Sequence, residues 1–115
     1  MTVTIFHNPN CGTSRNVLQM IRDAGHEPEV IQYVDTGWTV EGLTALLSAA
    51  GLTPREAMRT RGDLAGELGL LEPGVSDDAI LEAMIAHPVL VERPLVRTDK
   101  GVVLARPKEK VLEIL

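Results

Sequence analysis

The sequence of 115 residues has a single cysteine, so the chain cannot form an internal disulfide. One Trp, one Tyr, one Phe and a net charge of -5 argue against a base-stacking platform and against a general nucleic-acid binder. No apolar run approaches the roughly 20 residues that span a bilayer, and no basic region with a long apolar run marks a secretory signal. We therefore expect a cytoplasmic monomer that binds neither nucleic acid nor a membrane directly.

Composition and length are those of an ordinary globular domain. Hydrophobic residues make up 44% of the chain and charged residues 23%, which is enough apolar material for a buried core. The sequence shows no repeat, low-complexity tract or linker, so we expect one domain over residues 1–115. The histidines and the cysteine lack zinc-like spacing, and we expect neither a metal site nor a bound cofactor.

The single cysteine, Cys11, lies where a predicted strand turns into a predicted helix. A β-branched and aromatic run precedes it, and apolar residues with helical spacing follow it. The two patterns comprise Val3, Ile5 and Phe6 before the cysteine and Val17, Met20, Ile21 and Ala24 after it. Unpaired N–H groups and the positive dipole end at a helix start stabilise an anion and favour a thiolate. The position therefore predicts a nucleophilic cysteine beside an anion site.

The neighbouring residues favour a reactive thiol over the small buried hydrophobe that a lone cysteine more often is. Gly12 lets a ligand approach the backbone, and Thr13 and Ser14 can cap the helix or donate to an oxyanion. Arg15 adds a cation within reach. His7 can either lower the pKa of the thiol or be a strand-end residue satisfied by the backbone.

The patterns of the first two thirds predict a βαβ unit followed by helices. The predicted elements are a helix from about Thr13 to Ala24 ended by Gly25, a strand over Glu29 to Val34, and a helix over Val40 to Ala50 with Thr39 as N-cap. Further helices are predicted after Thr53-Pro54-Arg55-Glu56, carrying Ala57, Met58 and Arg59, over Asp63 to Leu71, and from Ser76 to His87-Pro88. A parallel strand pair places the cysteine at the carboxyl edge of the sheet, where open α/β sheets bind ligands.

The last part of the chain predicts a β-hairpin and a final helix. The hairpin strands are Leu95 to Thr98 and Val102 to Ala105, and Arg106-Pro107 begins the helix whose Val111, Leu112 and Leu115 can pack back on the sheet. The order of elements predicts an α/β fold, a thioredoxin/glutaredoxin-like mixed four-stranded sheet with a helical insert between its βαβ and ββα halves.

Several segments together carry a family resemblance. They are His7-Asn8-Pro9-Asn10-Cys11-Gly12-Thr13-Ser14-Arg15-Asn16, Arg59, His87-Pro88-Val89-Leu90-Val91-Glu92-Arg93-Pro94-Leu95-Val96, and Arg106-Pro107. In order and spacing, over essentially the whole chain, they resemble the glutaredoxin-coupled arsenate reductase family. The sequence stops at Leu115, before the extension of the longer members, and Ala105 stands where some members place a second cysteine. These two features lead us to expect a member of the shorter branch of that family.

The resemblance implies both an activity and a site. The implied activity is reduction of arsenate or a similar oxyanion in arsenic resistance, with glutathione as co-substrate and glutaredoxin as partner. The implied site comprises Cys11 as the nucleophile, Arg59, Arg93 and Arg106 as the residues that hold arsenate or its intermediates, His7 and Ser14 as residues that tune the thiolate, and a cis bond between Arg93 and Pro94.

The chemistry of the residues fits this implication. Arsenate is mostly a dianion near neutral pH, so helix N–H groups and guanidinium groups must offset its repulsion of a thiolate. Attack by Cys11 would expel water and leave a thiol-bound arsenate ester. Because the chain has no second cysteine, the next thiol must come from outside, most simply glutathione, and glutaredoxin would then resolve the mixed disulfide.

Three other interpretations stay open on the sequence alone. The tetrad Cys11-Gly12-Thr13-Ser14 is similar to that of monothiol glutaredoxins, which would make the protein an iron–sulfur carrier. Spx-like regulators that bind RNA polymerase share the predicted fold, although they often carry a paired-cysteine switch and position 14 is serine here. The third is a thiol reductase of the same fold and mechanism with another substrate.

Overall fold

Four strands and eight helical segments make up the chain, and the computed structural model describes every residue from Met1 to Leu115. The strands are β1 (Thr4–His7), β2 (Glu29–Gln32), β3 (Leu95–Thr98) and β4 (Gly101–Leu104). The α-helices are α1 (Gly12–Asp23), α2 (Tyr33–Thr36), α3 (Val40–Ala49), α4 (Pro54–Ala57), α5 (Leu64–Glu67) and α6 (Asp77–Ala86), and 3-10 helices span Pro88–Leu90 and Lys108–Glu113. No helix is long and apolar enough to cross a membrane.

The chain divides into two compact units. The first unit contains Met1–Thr36 together with Arg93–Leu115, and the second unit contains Gly37–Glu92. The second unit corresponds to the helical insert that the sequence predicted between the two halves of the sheet. Whether the two units make one domain, as the sequence analysis expects, stays a prediction.

The first unit is built on one four-stranded sheet with the strand order β2-β1-β3-β4. Strand β1 pairs with β2 in parallel, and both β1 with β3 and β3 with β4 are antiparallel. The parallel pair is joined through α1, as expected for a βαβ unit, and the antiparallel pair is the predicted hairpin. The predicted thioredoxin-like fold class is confirmed.

The core of the first unit lies between the sheet and the two helices that pack on it. Val17 and Ile21, one helical turn apart on α1, are both 0% exposed. They join a cluster with residues of the strands and of the chain end, namely Val3, Ile5, Val96, Ala105, Val111 and Ile114. Burying each large apolar side chain contributes roughly 1.5–3 kcal/mol, so this cluster holds α1 firmly on the sheet.

The second unit consists of helices whose starts are capped as the sequence predicted. The Thr39 side chain accepts a hydrogen bond from the Gly42 N–H at 3.0 Å, and Ser76 accepts one from Ala79 at 3.1 Å. Thr53 heads a complete capping box with the glutamate three residues later. These caps satisfy N–H groups that a helix start leaves unpaired, which fixes where α3, α4 and α6 begin.

Four predicted elements differ from the structure. Helix α5 spans only Leu64–Glu67 rather than Asp63 to Leu71, because the chain turns at Gly69, which has a positive φ of 72°. Strand β2 ends at Gln32 rather than at position 34, because the chain turns into the short helix α2 and buries Tyr33 to 1% exposure. Helix α4 ends at Ala57, and the next residue, Met58, forms a β-bridge with Val91.

The final helix has 3-10 rather than α geometry over Lys108–Glu113. A 3-10 helix places residues three apart on one face, so Val111 and Ile114 are buried together. Leu112, which an α-helix would have turned toward the sheet, is instead 56% exposed.

Candidate active site

Cys11 lies in the turn between β1 and α1, where the sequence placed it. It is the N-cap residue of α1, with an extended backbone at φ -103 and ψ 121. Its N–H donates to the Asn8 carbonyl at 3.0 Å, and its carbonyl accepts the Arg15 N–H at 3.0 Å. The residue is 9% exposed. The thiol is therefore nearly buried at the end of α1 from which the unpaired N–H groups point outward.

The surroundings of the thiol favour its anionic form. Burial, the largest single influence, raises the pKa of Cys11. The N–H of Ser14, the guanidinium of Arg93 and the N–H of Thr13 lower it, and together they outweigh burial. The pKa of Cys11 consequently lies below its ordinary value, which makes the thiol a better nucleophile at neutral pH.

Two arginines from distant parts of the chain meet at this sulfur. Arg93, just before β3, is 6% exposed, and its guanidinium donates to the Cys11 thiolate. Arg106, just after β4, directs one nitrogen, Nη1, both at the Cys11 sulfur at 3.9 Å and at the Arg93 carbonyl at 2.8 Å. Guanidinium and helix N–H donors thus converge on one sulfur, which is the donor set that a tetrahedral oxyanion requires.

Both arginines precede a proline through a cis peptide bond. The bond between Arg93 and Pro94, implied by the family resemblance, is cis, and so is the bond between Arg106 and Pro107.

His7 and Ser14 form a buried pair beside the cysteine. His7 Nδ1 and Ser14 Oγ are 2.6 Å apart, and the Asn8 N–H donates to the same hydroxyl oxygen at 3.1 Å. Burial lowers the pKa of His7, and the positive charges of Arg15 and Arg22 lower it further. The imidazole is therefore neutral at pH 7. It contacts the Ser14 side chain and not the sulfur, whereas the Ser14 N–H faces the thiol.

Asn8 is a residue to which the sequence analysis gave no role. It is 5% exposed, and its side-chain oxygen accepts the Asn10 N–H at 2.9 Å. Its carbonyl accepts the Cys11 N–H, and its own N–H donates to the Ser14 hydroxyl. Asparagine commonly stabilises a turn by accepting a hydrogen bond from the N–H two residues later. The Asn8-Pro9 sequence before the cysteine is therefore a signal that could have revealed the role of Asn8.

The remaining predicted site residues lie around the thiol in different ways. A Cβ at Gly12 would lie 3.7 Å from the Arg15 guanidinium, an ordinary contact, so glycine is not required there by crowding. Arg15 Nη1 donates to the Pro9 carbonyl at 2.8 Å and so supports the turn. Thr13 lines a cavity of about 350 Å³ together with Arg106 and the residues that follow it.

Arg59 belongs to the second unit and has partners there. Its Nη1 lies 2.9 Å from the Glu92 carboxylate, with the two side chains 25% and 15% exposed. Its N–H donates to the Leu90 carbonyl at 2.7 Å. These contacts tie Arg59 to the segment that leads into Arg93, and the contact of Arg59 with an oxyanion stays a prediction. No group of three or more His, Cys, Asp or Glu residues is placed to hold a metal ion.

Comparison with known proteins identifies relatives over nearly the full chain. Arsenate reductase ArsI2 of Synechocystis sp. is 57% identical over 113 residues, which are 98% of this chain and 81% of that protein. The arsenate reductase of Rhizobium meliloti is 52% identical over 115 residues, or 100% and 82% of the two chains. The structure of an arsenate reductase from Vibrio cholerae matches with a TM-score of 0.94 at 43% identity and covers 100% of this chain and 98% of that one.

A family model gives the same assignment. The model of the ArsC family matches residues 6–114, a range that runs from the end of β1 to the chain end and includes every predicted site residue. The relatives from Synechocystis, Rhizobium meliloti and Escherichia coli carry the name arsenate reductase. With the fold, the thiolate site and this match in agreement, the chain belongs to the ArsC family.

Proposed function

We propose that this protein reduces arsenate to arsenite and that Cys11 is the nucleophile. The observation that carries the proposal is the buried thiol of lowered pKa that faces Arg93, Arg106 and the first N–H groups of α1. A thiolate held among cationic and N–H donors can receive an anionic tetrahedral substrate that a thiolate in water would repel. The arsenate reductases among its relatives support this substrate over another oxyanion.

In the first step the Cys11 thiolate attacks the arsenic atom. A sulfur–arsenic bond forms, an arsenate oxygen takes up protons and leaves as water, and arsenic stays pentavalent. Arg106, which shares its Nη1 between the sulfur and a carbonyl, is placed to shift toward an arsenate oxygen. Arg93 stabilises the thiolate before attack. We propose the same oxyanion contact for Arg59, from the family resemblance.

The second step needs a thiol from outside, because the chain has no other cysteine. We propose glutathione: its thiolate attacks the Cys11 sulfur, a disulfide forms, and the electron pair of the broken sulfur–arsenic bond stays on arsenic as arsenite. A glutaredoxin thiol then attacks the glutathione sulfur and releases the Cys11 thiolate. The net reaction oxidises two thiols and reduces one arsenate.

The other residues around the thiol support it without taking part in bond changes. The Ser14 and Thr13 N–H groups stabilise the thiolate, and His7 holds the Ser14 hydroxyl. Gly12 keeps the approach to the sulfur free of a side chain. A reduced thiol and a glutathione-dependent cycle fit a reducing compartment, so we propose that the protein acts in the cytoplasm. We also propose that it acts as a monomer.

Coupled turnover tests the proposal. Arsenate, glutathione, glutathione reductase, glutaredoxin and NADPH are mixed with the protein, and NADPH oxidation and arsenite formation are followed. We expect both signals to require arsenate, glutathione and the wild-type chain, and Cys11→Ser to abolish them while far-UV circular dichroism stays unchanged. Turnover retained within about tenfold by Cys11→Ser, which is roughly 1.4 kcal/mol of barrier, would remove Cys11 from the mechanism.

A substrate panel addresses the remaining alternative, a reductase with another substrate. Phosphate has the same tetrahedral shape but does not accept two electrons from thiols, so it should inhibit competitively without turnover.

Thioredoxin alone in place of glutathione and glutaredoxin should give no more than one turnover. Multiple turnovers with thioredoxin alone would contradict the proposed role of glutathione.

A further inference from the structure

A charged cavity adjoins the thiol through two of the residues that surround it. It is lined by Thr13, Arg106, Pro107, Lys108 and Glu109 and has a volume of about 350 Å³. Small-molecule sites occupy roughly 300–1,000 Å³, so the cavity has room for a molecule larger than arsenate. All of its lining residues belong to the first unit, which also holds Cys11.

Two of the residues that line the cavity, Thr13 and Arg106, also lie beside the reacting sulfur. The Thr13 N–H is one of the groups that lower the pKa of Cys11, and the Arg106 Nη1 lies 3.9 Å from Sγ. A molecule in the cavity could therefore extend its own thiol to the sulfur over a short distance. The second step of the proposed reaction requires this approach.

Two of the residues that line the cavity carry opposite charges and have no protein partners. Lys108 and Glu109 are exposed and form neither a salt bridge nor a side-chain hydrogen bond. A bare oxyanion would be attracted by Lys108 but repelled by Glu109. A ligand that bears both a carboxylate and an ammonium group is complementary to this pair.

We propose that this cavity is the binding site for the low-molecular-weight thiol and that Lys108 selects a carboxylate-bearing thiol such as glutathione. The inference rests on the proposed function, since only that function requires an external thiol. In this arrangement Lys108 pairs with a carboxylate of the tripeptide, Glu109 faces its ammonium group, and the cysteinyl thiol points past Thr13 to the sulfur of Cys11. Lys108 thus contributes to selection of the thiol and not to binding of arsenate.

Charge variants measured with two thiols test this site. The rate of arsenite formation is titrated with glutathione and, separately, with 2-mercaptoethanol, which has no charge. We expect kcat/KM for glutathione, relative to that for 2-mercaptoethanol, to fall about threefold in Lys108→Gln, which is within the range for exposed ion pairs, and further in Lys108→Glu, because the new carboxylate also repels the ligand. Added salt should shrink the difference, because exposed charges are screened.

Lys110→Glu is the matched control. Lys110 is exposed on the same 3-10 helix and does not line the cavity, so its variant has the same net charge as Lys108→Glu. We expect it to keep the wild-type ratio between the two thiols. Esterifying the glycine carboxylate of glutathione should lower the ratio of kcat/KM for glutathione to that for 2-mercaptoethanol with the wild type. The ratio should fall less with Lys108→Gln.

The failures of the two proposals have different signatures. If the wild type forms arsenite with both thiols but Lys108→Glu and Lys110→Glu give the same ratio, the thiol site is wrong and the proposed function stands. An equal loss with both thiols in Lys108→Glu also overturns the site, since it would indicate a disturbed Arg106. If the wild type forms no arsenite with any thiol, the proposed function fails and this inference fails with it.

Discussion

Replacing Arg106 with alanine tests the feature that most separates an oxyanion enzyme from a protein that only shares its fold. The Nη1 of this residue makes two contacts, with the Cys11 sulfur at 3.9 Å and with the Arg93 carbonyl at 2.8 Å. The first is a long contact that an arsenate oxygen can replace with a shorter, charge-assisted bond. Hydrogen bonds to charged groups contribute roughly 1.5–3 kcal/mol, so Arg106→Ala should lower kcat/KM for arsenate about 10- to 150-fold.

The lysine variant separates the charge of Arg106 from its shape. Arg106→Lys keeps one positive charge but loses the planar arrangement that lets one guanidinium bond a carbonyl and an oxyanion together. We expect its kcat/KM to lie between those of the wild type and Arg106→Ala. The measurement is the initial rate of arsenite formation against arsenate concentration, at a glutathione concentration that saturates each variant.

Arg97→Ala is the control for loss of a positive charge from the same unit. Its guanidinium lies 5.4 Å from the centre of the Phe6 ring and is exposed, so its removal should leave kcat/KM near the wild-type value. If Arg106→Ala falls within threefold of Arg97→Ala, Arg106 does not hold the oxyanion. Equal kcat/KM for the lysine and alanine variants would show that the charge alone is irrelevant.

Four further predictions follow from single contacts. Arg93→Lys should move the pH profile of Cys11 alkylation to higher pH, because the guanidinium of Arg93 helps to lower the thiol pKa; an unchanged profile would contradict its role. Asn8→Ala, which loses the side-chain bond of the turn, should slow alkylation at pH 7, and Asn8→Ser, whose hydroxyl can accept the same bond, should recover part of the rate. Because the pKa of folded His7 is lowered, the unfolded chain binds that proton first. The free energy of unfolding should therefore decrease as pH falls below 6.5, and less so in His7→Gln. Thr53→Ala should lower the free energy of unfolding by about 1 kcal/mol through loss of its cap, whereas the exposed, unbonded Thr60→Ala should change it by less than half as much.

The parts of the fold that the sequence predicted well depend on short-range chemistry. The caps at Thr39, Thr53 and Ser76 each bond an N–H three residues on, and a sequence displays such pairs directly. The position of Cys11 at the start of α1 also follows from adjacent patterns. The helix type at the chain end was harder to predict. A 3-10 helix places residues three apart on one face, whereas an α-helix places residues three and four apart there, and a short apolar pattern does not distinguish the two.

The convergence on the sulfur could not be predicted from residue patterns, because it joins residues 95 positions apart. Composition and spacing identify Arg106 only as a cation before a proline, which is more often a solvated surface charge. The family resemblance of the chain implied that Arg106 lies at the site. The structure adds that the Arg93 carbonyl holds the Arg106 guanidinium there. A main-chain acceptor leaves no trace in the residue types, so no sequence pattern could have indicated it.

The structure distinguishes Arg93 from Arg106, two arginines with the same sequence context. Each precedes a proline, and the sequence analysis predicted the same oxyanion role for both. In the structure Arg93 is 6% exposed and helps to lower the pKa of Cys11, whereas Arg106 is only half-buried and has Nη1 3.9 Å from the sulfur. Arg106 instead lies between the sulfur and the charged cavity. We therefore expect Arg93 variants to act mainly on the reactivity of the free thiol and Arg106 variants on the steps that follow arsenate binding.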